Sequence, residues 1–440
     1  AGVAARFKAV VVVSLEGGAD TYNLLVPLRN CSAGATHQDL YAHYAEKRGE
    51  AALGPEQLLP IDVPEGTQPC ATFGLHASLP FLAERYAHGD AALLANIGNL
   101  IEPVTIATWR DGSARVPPAV TAHNVATGYV HSVHAQRSAY TVTRGVAGRL
   151  LDQLAGGPGA FAPGAFSVAD TVKILEAQTT TYDVLSRSGA KRFNSQGDSS
   201  LRRNVEELLA PASNSTFGEA IAGLMEAALR RGDDVGSVLN TATLSTSFDG
   251  DAKLSQSLEQ VAKLINASAQ LGTERGAYYV EIGGFDTHKD VHGVVEDKFA
   301  EIDAALASFV AEMEAQGRWG DVTLLTISEF GRTITSNGAG TDHGWGGNHV
   351  VLGGAVKGGQ VFGRYPDDLS DNGAHSIGRG RIIPTTPWEG VWAPIAEWLG
   401  VDQGSMAEVL PNVGNFESGT HLIPAADLFH MPPAPPAPPG

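Results

Sequence analysis

Residues 8–23, KAVVVVSLEGGADTYN, decide the fold class. Val10 to Val13 are four β-branched residues in a row, with Ala9 and Leu15 extending the apolar run. A strand at 8–15 apolar on both faces must be covered on both, as strands of parallel sheets are. EGGADTYN (16–23) then breaks the strand with paired glycines and presents Asp20 and Asn23 at its carboxyl end. In an open α/β sheet that end is where ligands bind.

The pattern repeats outward from this strand. AALLANIG (91–98), FSVAD (166–170), YYVEI (278–282), DVTLLTIS (321–328) and HVVLGG (349–354) read as further strands. GLHASLPFLAERYAHG (74–89), GVAGRLLDQLAG (145–156), VEDKFAEIDAALASFVAEMEAQG (295–317) and VWAPIAEWLG (391–400) carry helical periodicity. Strands alternating with helices of this length predict a mostly parallel sheet covered on both faces. Residues 170–275, with VEELLA, FGEAIAGLMEAALRRG and KLSQSLEQVAKLINASAQLG, are expected to form a helical insertion or cap within a domain spanning 1–431. The tail 432–440, PPAPPAPPG, has polyproline II composition and suits attachment or self-assembly.

The 440 residues are 43% hydrophobic, enough for a substantial core. A net charge of -18 argues against a nucleic-acid or anionic-membrane partner. The longest apolar run, at 9–15, is far too short for a transmembrane segment. The two cysteines, Cys31 and Cys70, form no C-x-x-C pair and are expected to be disulfide-bonded. N-glycan acceptor sequons start at Asn30, Asn214 and Asn266. With a start at Ala1 of the kind signal removal leaves, these features predict a secreted, extracellular or cell-surface chain.

Chemistry-bearing residues gather at strand exits. FDTHKDVH (285–292) places Asp286, His288, Asp290 and His292 at alternate positions after the strand 278–282. SEFGRT (328–333) supplies Glu329 and Arg332, and TDHGWGGNH (341–349) supplies Asp342, His343 and His349. Singly, each has a bland reading as a turn former, a helix cap or an ion pair. Together they are the ligand types of Zn²⁺, Mg²⁺ or Ca²⁺ at one sheet edge. The P-loop, G-x-S-x-G and H-E-x-x-H patterns do not occur in the sequence.

VVVVSLEGGADTYNLLVP, FGLHASLPFL, FDTH, SEFGRT and TDHGWGGNHVVLGGAVKGGQVFG, in this order, resemble the family of domain of unknown function 1501, within the alkaline phosphatase and sulfatase superfamily. The resemblance spans nearly all of 8–415 and is weak within 170–275. It implies a three-layer α/β/α sandwich in which divalent metal held by Asp20, Asp286, His288, Glu329, Asp342 and His343 clamps a phosphoryl or sulfuryl group. Thr121, His123 and Arg332 are then the candidate catalytic residues, with Arg332 gripping anionic ester oxygens. One departure stands out: where many relatives carry a serine before the histidine, this chain reads Thr121-Ala122-His123-Asn124. The expected function is a secreted metal-dependent hydrolase of a small anionic ester or glycan. The alternative is a non-catalytic binding or structural protein on a degenerate hydrolase scaffold, assembled through its tail.

Overall fold

Val11 and Val13 enter one hydrophobic core cluster and Val10 and Val12 another, so the first strand divides the molecule into two apolar layers. This is the period-two consequence of a strand apolar on both faces. The computed structural model describes residues 7–31, 39–138, 140–157, 159–190, 199–209 and 215–431; the 432–440 tail and Asn214 lie outside them.

The strands, in chain order, are β1 (Lys8–Glu16), β2 (Leu25–Cys31), β3 (Leu58–Asp62), β4 (Cys70–His76), β5 (Ala91–Gly98), β6 (Pro163–Ser167), β7 (Asp183–Ser186), β8 (Gly189–Ala190), β9 (Arg275–Gly283), β10 (Val322–Ile327), β11 (Arg332–Ser336), β12 (Thr341–His343), β13 (Gly347–Gly353), β14 (Val361–Gly363) and β15 (Thr386–Pro387). The main sheet runs β14-β5-β13-β10-β1-β9-β6-β7-β8, with β15 beside β5. β1 lies between β10 and β9 and is parallel to both. β13 is antiparallel to β10 and to β5, but most pairings are parallel.

One face of the sheet is covered by the helices Pro80–His88, Lys253–Asn266 and Val291–Ala315. The other carries Val146–Gly156 and Trp388–Leu399. The three-layer α/β/α architecture with a mostly parallel sheet is therefore the fold. Cys31 and Cys70, opposite each other in the β2/β4 ladder, are disulfide-bonded. Among the described residues no helix is long and apolar enough to cross a membrane.

Two local expectations need correction. The helix read over 74–89 begins only at Pro80, where a proline suits the first helical turn. Residues up to His76 instead pair as β4 with β2 and β3. The segment 170–275 is also not uniformly an insertion. β7 and β8 extend the main sheet, and the helix Lys253–Asn266 buries Leu254, Leu258, Val261 and Ile265 completely in the core. Its amphipathic stripe faces the sheet, as the stripe of a core-covering helix does. The helix Thr216–Thr241, by contrast, exposes Phe217, Ile221, Leu224 and Met225.

Candidate metal centre

The carboxyl ends of β1, β9 and β10 bring three loops together, and the β11–β12 hairpin closes over them. Gly17 follows β1 with φ +115, and a Cβ there would stand 2.6 Å from the Asp286 backbone nitrogen. Only glycine allows the β1 turn to touch the β9 turn so closely. In the hairpin Arg332 pairs with His343. His123 opens the helix His123–Ser132 with Ala122 at its N-cap.

Three imidazoles meet one carboxylate at this point. His123 Nδ1 lies 2.8 Å from Glu329 Oε1, His288 Nδ1 lies 3.1 Å from Asp342 Oδ1, and His343 Nδ1 lies 2.8 Å from the Thr121 carbonyl. Each Nδ1 thus faces an oxygen acceptor; with the ring proton on Nδ1, the Nε2 lone pair is the atom open to a cation. The Nε2 atoms all turn to Asp286: His288 at 3.1 Å and His343 at 3.2 Å from Oδ1, His123 at 3.7 Å from Oδ2. His288 Nε2 and His343 Nε2 are 3.0 Å apart. Ligand atoms of His123, Asp286 and His343 all fall within 4.8 Å of one another.

Behind Asp286 sits Arg332, whose side chain is 0% exposed against 49% for Asp286. Its guanidinium donates to Asp286 Oδ1 and to the carbonyls of Gly17, Gly18, Phe285 and Thr341. Partial burial pushes the Asp286 carboxyl up, but the bond and charge of Arg332, helped by His343 and His288, hold it below the usual carboxylate range. Burial pushes His343 down despite its bond to the Thr121 carbonyl, and the Arg332 charge adds to the effect. The Asn337 amide and His288 hold Asp342 low. Glu329 is buried and accepts from Gly17 N, Ser328 Oγ and His123.

The residues expected at the site divide into five groups. Asp286, His288 and His343 form its centre, joined by His123. Glu329 and Asp342 stand behind it, each holding a histidine. Arg332 faces inward, and its burial leaves no guanidinium face for ester oxygens, which corrects the role expected from sequence. Asp20 lies apart: fully buried, it is paired at 2.7 Å with Arg48 and accepts from Thr341 Oγ1 at 2.9 Å, so its carboxylate serves that pair and not the cluster. Thr121 and Ala122 precede His123 at the rim. His349 is buried beside Trp388 in the core, and His292 contacts the Glu50 carbonyl. Arg48 was not anticipated; nothing in its local sequence marks a partner 28 residues away.

An α/β/α sandwich with a histidine–aspartate cluster at its strand ends is the class that fold and site define. The chain belongs to the family described as protein of unknown function (DUF1501), whose profile matches residues 7–376. No curated protein matches its sequence. Among solved structures it is similar to the lipoteichoic acid synthase LtaP from Listeria monocytogenes, at 9% identity and a TM-score of 0.37, over 94% of this chain and 76% of that one. It is also similar to the phosphonate monoester hydrolase SpPMH from Silicibacter pomeroyi, at 8% identity and 0.36, over 90% and 74%. The PsFucS1 sulfatase from Pseudoalteromonas sp. matches at 10% identity and 0.31, over 81% and 64%.

Proposed function

We propose that the chain is a divalent-metal-dependent hydrolase of phosphate or sulfate esters, acting outside the cell or at its surface. One observation carries this reading: three histidines, each with Nδ1 held by an oxygen acceptor, aim Nε2 at a single carboxylate. Metal-ligating histidines are oriented in this way, with the partner of the second nitrogen fixing tautomer and ring plane. The donor set also has the right spacing. The 3.0, 3.1 and 3.2 Å separations among His288, His343 and Asp286 approach the edge of a tetrahedron, about 3.3 Å for bonds near 2.0–2.1 Å.

His123, His288, His343 and Asp286 are the proposed ligands, with Glu329 and Asp342 as their supports. Bound there, a divalent cation supplies Lewis-acid polarisation of an ester oxygen. Thr121 is the proposed nucleophile, since its carbonyl already holds His343 and Ala122 has no hydroxyl. The Cys31–Cys70 disulfide supports an oxidising compartment, and the exposed Asn30 and Asn266 are the proposed glycan acceptors among the described residues. The methyl group at Ala122 favours a second reading, a binding protein that holds an anionic ester or glycan without turning it over.

Hydrolysis of aryl phosphate and aryl sulfate by the zinc-, magnesium- and calcium-loaded chain tests the proposal. Turnover abolished by both chelation and Thr121→Ala is the expected result. Turnover that survives chelation refutes metal dependence, and a metal-loaded chain inert to both esters leaves the binding reading in its place.

A further inference from the structure

Arg381 is held against the site by a tight turn and spends one of its N–H groups there. Residues 376–382, SIGRGRI, fold back so that Ser376 bridges Ile382 and Ile377 N donates to Arg381 O at 3.1 Å. Three consecutive residues adopt positive φ: Gly378 at 89, Arg379 at 58 and Gly380 at 67. Arg379 does so with a side chain, a conformation that persists only where the surroundings enforce it and that gathers at functional sites. The surroundings here are explicit. Gly380 O accepts from Ile334 N at 2.8 Å, Gly380 N donates to Asp371 at 2.8 Å, and Ile382 O accepts from Gly346 N at 3.0 Å. The turn is thus fastened to β11 and to the residues just after β12.

From this turn Arg381 Nε donates to the carbonyl of His343 at 3.1 Å. Among the described residues the guanidinium makes no other hydrogen bond and no ion pair, and the residue is only partly buried. Arg332, by contrast, is wholly committed to protein oxygens. Arg332 belongs to the hairpin and Arg381 is bonded to it from outside, but only Arg381 retains the paired Nη donors that match two oxygens of a tetrahedral anion. It lies beyond residues 7–376, the extent of the family match.

We infer that Arg381 is the anion-binding residue of this site and that its ligand is a phosphate or sulfate group. This inference rests on the hydrolase reading for the nature of the ester, but anion binding itself needs no turnover. Nη1 and Nη2 each donate an N–H to an oxygen of the group while Nε keeps donating to His343 O. The anchor fixes the fork, so little side-chain freedom remains to be lost on binding.

The experiment is calorimetric titration of inorganic phosphate, and separately of sulfate, into the full chain with zinc and after chelation. The expected result is that Arg381→Gln weakens phosphate or sulfate binding roughly tenfold or more while zinc content and melting temperature stay at the wild-type values. The anion bound more tightly by wild type identifies the ester. Equal anion affinity in wild type and Arg381→Gln overturns the inference and leaves the metal reading intact. A wild type that binds neither anion also overturns it. A chain that takes up no zinc yet loses anion affinity on Arg381→Gln sustains the inference while the hydrolase reading falls. Should Arg381→Gln not fold, phenylglyoxal labelling of wild type reads the same contact: phosphate or sulfate must protect Arg381, and unprotected labelling counts against it.

Discussion

Nε2 of His288 lies 3.0 Å from Nε2 of His343, and both stand against Oδ1 of Asp286. In the tautomer that carries each ring proton on Nδ1, two lone pairs face each other and a carboxylate, an arrangement that a shared cation relieves. Arg332 already lodges a fixed positive charge among the neighbouring carbonyls, so the cluster has room for one ion beside it. The purified chain should therefore carry one divalent ion, read by mass spectrometry of the metal. His343→Ala should lose it, and chelation should lower the melting temperature of wild type. A wild-type chain that takes up no divalent ion, or more than one at this cluster, contradicts the arrangement.

Glu329 and His343 should behave differently on removal. Glu329 touches the centre only through His123, while also accepting from Gly17 N. Glu329→Ala should weaken metal affinity about 10–100-fold rather than abolish it, the usual cost of losing a ligand's support. It should also destabilise the fold by about 1–3 kcal/mol, because Gly17 N is left without its acceptor. Metal titration and urea melts of the same variant separate the two effects. Complete loss of metal with unchanged stability would make Glu329 a direct ligand instead.

The limits of sequence reading follow from the range of the interactions. β1 was legible because its apolar run is contiguous, and the meeting of Asp286, His288 and His343 because each sits in a short motif at a strand end. What separates the proposed ligands from their proposed supports was not legible. Glu329 and Asp342 look like ligands in one dimension, yet each is turned onto a histidine, His123 lying 206 residues from Glu329. Arg332 and Arg381 are alike as residue types; only the carbonyls packed around the first commit its whole guanidinium, while the second is bonded only through Nε among the described residues. The helix Lys253–Asn266 carried its amphipathic stripe openly, but nothing local tells whether such a stripe faces a sheet or a cap.

Asp20 supplies a test of that separation. Its carboxylate and the Arg48 guanidinium are both 0% exposed, and Oδ1 has no hydrogen-bond partner among the described residues. Removing one member of a buried pair strands the other charge, at a cost of about 3–5 kcal/mol. Asp20→Ala should lose that much in denaturant melts while the folded fraction keeps its metal. Loss of metal from well-folded Asp20→Ala would return Asp20 to the ligand set.

The Cys31–Cys70 bond closes a separation of 39 residues in the separate three-stranded sheet β2-β4-β3. On the chain-entropy account such a loop contributes about 3–4 kcal/mol. The double variant Cys31→Ser, Cys70→Ser should show that loss in urea melts, with metal content preserved because the bond joins β2 to β4 and holds none of the histidines. Unchanged stability would mean that the β2/β4 ladder alone orders this segment.

Glu389 predicts a pH dependence that has nothing to do with the metal centre. It lies in the first turn of the helix Trp388–Leu399, is buried, and has no hydrogen-bond partner for Oε1 among the described residues. Burial pushes its carboxyl up from 4.5 to about 8, outweighing the Asn412 amide and the Arg149 charge. Between those values the folded chain holds a proton that the unfolded chain releases. Stability from this group is therefore full below about pH 4.5, falls as pH rises toward about 8, and changes no further above it. The slope inside the window is at most about 1.4 kcal/mol per pH unit. Glu389→Gln keeps the shape of the neutral acid and cannot ionise, so its advantage over wild type should grow from pH 5 to pH 8 in paired urea melts. Parallel stability curves for the two chains across that range would show that Glu389 keeps an ordinary carboxylate in the folded state.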